Sequence, residues 1–249
     1  MNLTFDRNLF TEAGLDSGSL TMLGSVIHTF REAGEYKGTV RRGDSILSTF
    51  YLSADKNSAV AQVNIDLAAL TKTEPDSSSE KCCDDHKGSD HRFVVNRRGY
   101  AVFHVSGGPG GYYVHIEKAI EGKDSDQRVF DSRELSESDV FSAVIIRPGT
   151  YSVTNLLSKA RGEVAVSYPV MEKTAYRPPA PVRVKSSKDY FEPNRVELKP
   201  GQGMLFDCET HSRIKIELVK ADDGPNYERE PVIRGWKKRD LPKVEKKPK

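Results

Sequence analysis

Apolar and polar residues alternate with a period of two along most of this chain, not with the 3.6 of an amphipathic helix. Residues 38–53, 59–70, 91–96, 100–106, 112–120, 142–155, 162–170, 195–208 and 213–221 are runs rich in Val, Ile, Tyr and Phe, bounded by Gly, Pro, Asn or Asp. Such runs read as half-buried strands joined by turns. In 213–221, Ile214, Ile216 and Leu218 point one way and Lys215, Glu217 and Val219 the other, which predicts one buried and one wet face. Helical signals are sparse. Residues 20–31 fit a helix between Ser19 and Gly34, and equally a strand in which Val26, His28 and Phe30 alternate with Thr29 and Arg31. Helical turns also fit 131–139. The pattern predicts a mainly β protein: antiparallel β-sandwich modules, jelly-roll or immunoglobulin/cupredoxin-like, with little helix.

Polar and Pro-rich stretches divide the strands. The divisions predict a β module over 1–70, a polar loop or linker over 71–91, a second sandwich over 92–221 with a Pro-rich connector at 169–182, and a basic tail over 222–249. A weak repeat runs through them: Arg41-Arg42-Gly43, Arg97-Arg98-Gly99, Arg147-Pro148-Gly149 and Lys199-Pro200-Gly201 each separate two strand-like runs. These read as hairpin turns, and their spacing near 50 residues fits either a duplication or the ordinary recurrence of turns in a sandwich.

Charge is unevenly placed. Residues 234–249 hold eight Lys/Arg against two acids, which leaves the preceding 233 residues with 30 basic and 34 acidic side chains. A mildly acidic body ending in a basic tail with Trp236, Lys237, Lys238 and Arg239 suggests contact with a protein partner, self-assembly or an anionic surface. Nucleic acid is disfavoured, because no strand combines aromatic and basic residues as RNA-binding sheets do. No apolar run reaches the roughly 18 residues of a membrane span, and the opening residues do not form a signal peptide. With three cysteines in 249 residues, a reducing, cytoplasmic setting is expected.

Residues 191–206 carry one family resemblance. Phe191 and Pro193 lead into a strand with Val196 and Leu198, a turn at Gly201, and a second strand with Met204 and Phe206. This order resembles the opening of a cupredoxin-like sandwich over about 30 residues, and the resemblance would place a first copper ligand near His211. No Cys, His or Met follows His211, so it implies that fold without copper.

Candidate chemistry is limited. Cys82, Cys83 and His86, with Asp84, Asp85, Asp90 and His91 nearby, offer soft and borderline ligands for Zn or Cu, yet lack the spacing of structural zinc sites. Cys208 and His211 could form a second metal or redox site, or a nucleophile with its base. Residues 106–111 are Gly-rich without a phosphate-loop pattern. Tyr112, Tyr113 and Tyr151 with His115 suggest a ligand face or cross-strand packing. No hydrolase, zincin or dinucleotide motif is present. The sequence therefore favours a non-catalytic structural or adaptor protein without a cofactor. A metal-binding or redox module, or a carbohydrate or small-ligand binding sandwich, are the alternatives.

Overall fold

The computed structural model describes residues 11–72, 91–118, 127–167 and 176–222. The chain is mainly β and sandwich-like. Its first part runs β1 (Gly14–Asp16), β2 (Gly24–Thr29), β3 (Gly34–Arg42), β4 (Ser45–Asp55), β5 (Gln62–Asp66), the single helical turn α1 (Leu67–Leu70), β6 (His91–Asn96), β7 (Tyr100–His104) and β8 (Tyr113–Lys118). Its second part runs β9 (Gln127–Asp131), β10 (Val140–Val144), β11 (Gly149–Asn155), β12 (Arg161–Val166), β13 (Val182–Ser186), β14 (Phe191–Glu192), β15 (Arg195–Leu198), β16 (Gly203–Cys208) and β17 (Ile214–Ala221).

The two parts are copies of one topology. One outer sheet has the order β6-β4-β3-β8-β9, and the other, read in the same sense, β15-β12-β11-β17-β1. Between them, β5-β7-β2 continues directly into β10-β16-β13 in a seven-stranded central sheet. Ladder directions correspond as well: β4 with β6 and β12 with β15 are parallel, as are β5 with β7 and β13 with β16. The sheets are thus mixed, whereas the sequence suggested antiparallel ones. Val26 on β2 lies opposite Phe141 on β10, its own equivalent 115 residues later, so the pseudo-two-fold axis passes between them. Opposed residues share a face of a sheet. Phe103, beside Val26, contacts Phe50 and Phe130 of one outer sheet, while Phe206, beside Phe141, lines a small cavity with Val153 and Val164 of the other. Both outer sheets therefore cover the same face of the central one.

Each copy lends its first strand to the other. β1 pairs with β17, the last strand of the second copy, and β9 pairs with β8, the last strand of the first. The corner after each exchanged strand is built identically, from Asp16-Ser17 and Asp131-Ser132. The aspartate Oδ1 accepts from the backbone N–H two residues on, at 2.8 Å from Gly18 and 2.9 Å from Arg133, an Asx turn. The buried serine Oγ accepts from Ile214 N–H at 3.1 Å and from Val114 N–H at 3.0 Å. Leu20 and Leu135 then close equivalent bridges to Tyr112 and Ser212. The corners meet near the axis: a Cβ on Gly18 would lie 2.7 Å from Arg213 Nε and 3.1 Å from Arg133 Cα. In the next hairpin Tyr36 and Tyr151 each donate to the carbonyl four residues before, of Glu32 at 2.8 Å and Arg147 at 2.7 Å.

Hydrogen bonds cross the boundaries that the polar stretches suggested. β3 pairs with β8 and β4 with β6, so 1–70 does not stand apart from 92–118, and one apolar core runs from Leu15 to Ile216. Residues 20–31 hold a bridge, a turn and β2 rather than a helix, and 131–139 form the end of β9 and two turns. The helical turn α1 falls inside a stretch that read as strand, because Asp66 caps it by accepting from Ala68 N–H at 3.0 Å and Leu-Ala-Ala-Leu are strong helix formers. Most of the 71–91 loop lies outside the described residues. The described end of the Pro-rich connector is exposed, without regular secondary structure, and anchored: Tyr176 Oη donates to Pro200 O at 2.8 Å and Gln202 Nε2 to Ala180 O at 2.8 Å.

The exchange corner carries a pH dependence. Burial works to raise the Asp131 carboxyl, but hydrogen bonds and charge from Arg133, with Arg128 behind, outweigh it and hold the group below the usual carboxylate range. A carboxylate lowered in the folded state stabilises above its unfolded value, about 4, and that contribution is lost as pH falls through the folded value. Urea unfolding at pH 6 and pH 3 should show wild type losing more stability on acidification than Asp131→Asn. Equal losses would remove Asp131 from the acid response.

Candidate functional site

One departure from two-fold symmetry lies at the two ends of the β2–β10 ladder. At one end His28 stands where the other has Ala143, and Asp139 stands where the other has Gly24. His28 Nδ1 is 2.7 Å from Asp139 Oδ1, and both residues are buried. Asp139 Oδ2 accepts from Ser136 N–H at 2.7 Å and from Ser136 Oγ at 3.1 Å. An ionised carboxylate only accepts, so Nδ1 carries the proton and Nε2 is left to accept or to be protonated. The imidazole packs edge-on to Phe30 and tilted against Phe130, at centroid distances of 5.0 and 4.6 Å. Among the described residues nothing bonds to its buried Nε2. Such an orphaned group costs about 1–3 kcal/mol.

These two residues line a cleft of about 350 Å³ between the central sheet and the first outer sheet, with Thr29, Arg31, Lys118 and Ser138 among its other walls. Ser138 has φ +76°, a left-handed conformation uncommon outside glycine. Its backbone N–H donates to Cys208 O at 3.0 Å, and its Oγ accepts from Arg31 Nη2 at 2.6 Å. Lys118 pairs with Glu32 at 2.5 Å, which lowers the Glu32 carboxyl and raises the Lys118 ammonium, in each case chiefly through their hydrogen bond. Arg128 pairs with Glu134. Among the described residues Arg31 has no acidic partner.

The equivalent cleft in the second copy is nearly closed, with room for about 10 Å³, the limit for one water. Its walls include Leu23, Val144, Ile145, Ile146, Tyr151 and Ile216, with Glu12 as the one charged residue. Leu23 replaces Ser138, Val144 replaces Thr29, Ile146 replaces Arg31, and Leu218 replaces Lys118. One copy thus holds an open polar cleft where the other holds a nearly closed, mainly apolar seam. A larger groove of about 610 Å³ beside Gly149, Glu197 and Lys220 is formed by strand ends, next to where the described chain stops at Ser167 and Asp222. None of its lining side chains is a buried polar group.

Among the described residues, the candidates singled out by sequence do not converge on one site. Cys82, Cys83, His86, Trp236, Lys237, Lys238 and Arg239 lie outside the described residues. His91 opens edge strand β6 opposite Phe50. Cys208 ends β16 on its inward parity with Met204 and Phe206, while His211 follows in a turn, largely exposed and 3.6 Å from Glu134. Burial first, then the Asp139 carboxylate, push the Cys208 thiol up to about 12, against a hydrogen bond with Ser212. Buried on the inward face of β16, the thiol packs as a small apolar side chain. Native protein at pH 8 should therefore leave Cys208 unmodified by iodoacetamide, read by peptide mass mapping, and labelling at a free-thiol rate would contradict its burial. Tyr112, Tyr113 and Tyr151 are buried, and Tyr113 donates to Gly43 O at 2.8 Å beneath the Arg133 guanidinium. They pack rather than face a ligand. Among the described residues no three His, Cys, Asp or Glu side chains converge on a metal position, and no helix is long and apolar enough to cross a membrane.

The fold and cleft define a class, a duplicated mainly-β protein with reciprocal strand exchange and one polar inter-sheet cleft. Comparison with protein families, curated proteins and solved structures finds no match.

Proposed function

We propose that this is a non-catalytic β-sandwich protein that works by binding, and that its recognition site is the cleft over His28 and Asp139. One observation carries the reading: of two clefts equivalent by internal symmetry, only one is open and polar. A buried carboxylate, an unbonded Nε2 and a left-handed serine each destabilise a fold, and all three sit in that cleft. The mainly apolar walls of its twin are evidence that the same architecture packs without them. Binding is favoured over nucleophilic catalysis because no described hydroxyl or thiol bonds to Nε2. A thermal-shift screen of small polar fragments on the full chain, with native mass spectrometry of the hits, should give one bound molecule per chain. The response should vanish in His28→Ala/Asp139→Ala. Two molecules per chain, or hits indifferent to the double variant, would overturn the assignment.

A structural or adaptor role through protein contacts is the second reading, favoured by the eight Lys/Arg and Trp236 of residues 234–249. Under it, deleting 234–249 lowers the assembled fraction seen by native mass spectrometry. An unchanged mass distribution would remove the tail from consideration.

A further inference from the structure

Resting on the binding reading above, we infer that the cleft takes a small organic carboxylate bearing a hydroxyl near its charged end. The positive groups in the walls are not equivalent. Lys118 is neutralised by Glu32 and Arg128 by Glu134. Arg31 is held instead by the neutral Ser138 Oγ, so its planar fork keeps both its charge and further N–H groups for a carboxylate. That hydroxyl is placed by the left-handed backbone of Ser138, so the one strained non-glycine residue described serves to hold the guanidinium.

The second recognition group is the imidazole. With Nδ1 bonded to Asp139, His28 leaves a buried Nε2 without a partner among the described residues. A ligand hydroxyl that reaches it, as donor or as acceptor, satisfies a group that is otherwise orphaned, and an analogue without the hydroxyl leaves it unpaired. The symmetric cleft lacks both groups together, with Ile146 and Ala143 in their places. The volume of about 350 Å³ lies at the small end of ligand pockets, which points to a single small molecule rather than a polymer.

Calorimetric titration of the full chain tests this with mandelate, an α-hydroxy-carboxylate, against its neutral amide, 1-phenylethylamine and inorganic phosphate. Mandelate should bind saturably at one per chain, about tenfold or more tighter than its amide, and about tenfold weaker to Arg31→Ala. Equal binding of the amide, tighter binding of phosphate or the amine, or indifference to Arg31→Ala would overturn the carboxylate assignment. The cleft would still stand if His28→Ala/Asp139→Ala abolished whatever bound. If none of the four bound to wild type below about 10 mM, or if binding survived the double variant, both readings would fall.

Discussion

Replacing Asp139 with Ala lowers the unfolding free energy by about 3 kcal/mol, the upper end of the range for losing buried hydrogen bonds to a carboxylate. The carboxylate is the acceptor for His28 Nδ1–H and for both donors of Ser136. Its loss leaves an imidazole buried among Phe30 and Phe130 with neither nitrogen bonded. His28→Ala/Asp139→Ala should cost clearly less than the sum of the single changes, with a coupling above about 1 kcal/mol, because the second copy already holds Ala143 opposite Gly24 at the equivalent place. Urea unfolding of the three variants, with the denaturant slope unchanged, measures this. Additive losses would show that the pair is not an energetic unit.

The second large effect lies in the first outer sheet. Gly38 on β3 sits opposite Phe50 on β4, and the phenyl ring covers it so closely that a Cβ would lie 2.0 Å from Cζ. In the second copy the sizes are reversed, with Val153 opposite Gly162. Either arrangement fills the same core layer once. Phe50→Ala should cost about 3–5 kcal/mol through lost burial and the cavity left behind. Gly38→Val should cost at least the 1–3 kcal/mol of overpacking, since a fully buried ring would have to leave its place. Gly38→Val/Phe50→Gly rebuilds the pair of the other copy and should be more stable than Phe50→Gly alone. A double variant no better than that single would mean that the two copies do not pack equivalently here.

The strands were legible because burial on one face imposes a period of two. Ile214 and Ile216 are buried where the pattern places them, and Leu218 is half-buried as β17 leaves the core. Ladder direction and sheet order were not legible, since alternation is the same in parallel and antiparallel strands and pairing depends on residues far apart. The repeat was present in the sequence but was obscured by the charged glycine turns. Gly43 and Gly149 occupy different places, a hairpin tip and a strand start, and the true counterpart of Gly149 is Gly34. The informative signal is Asp-Ser-x-x-Leu, thirteen residues, then Gly-x-Tyr, which occurs at Asp16 and again at Asp131. Each fixed residue there has a local duty: an Asx turn, a buried hydroxyl, a bridge, a sharp strand start and a tyrosine tied to the backbone.

The site was only half visible. His28 falls on the inward parity of Val26 and Phe30, and an imidazole at such a position needs a buried partner. That partner is 111 residues away, in a segment that read as helical turns. Only the folded ladder brings the two together, and only comparison with the symmetric cleft distinguishes them from an incidental buried pair. Cys208 and His211 present the opposite case. They are close in sequence, but a strand end and a following turn face a buried thiol inward and an exposed imidazole outward.

If one of the two equivalent clefts is the binding site, amide chemical-shift mapping of the full chain during a mandelate titration will tell them apart. Perturbations should concentrate at residues 28–32 and 136–139 while their counterparts at 143–147 and 21–24 stay silent. Perturbation of both sets alike, or of the second set alone, would contradict the cleft assignment.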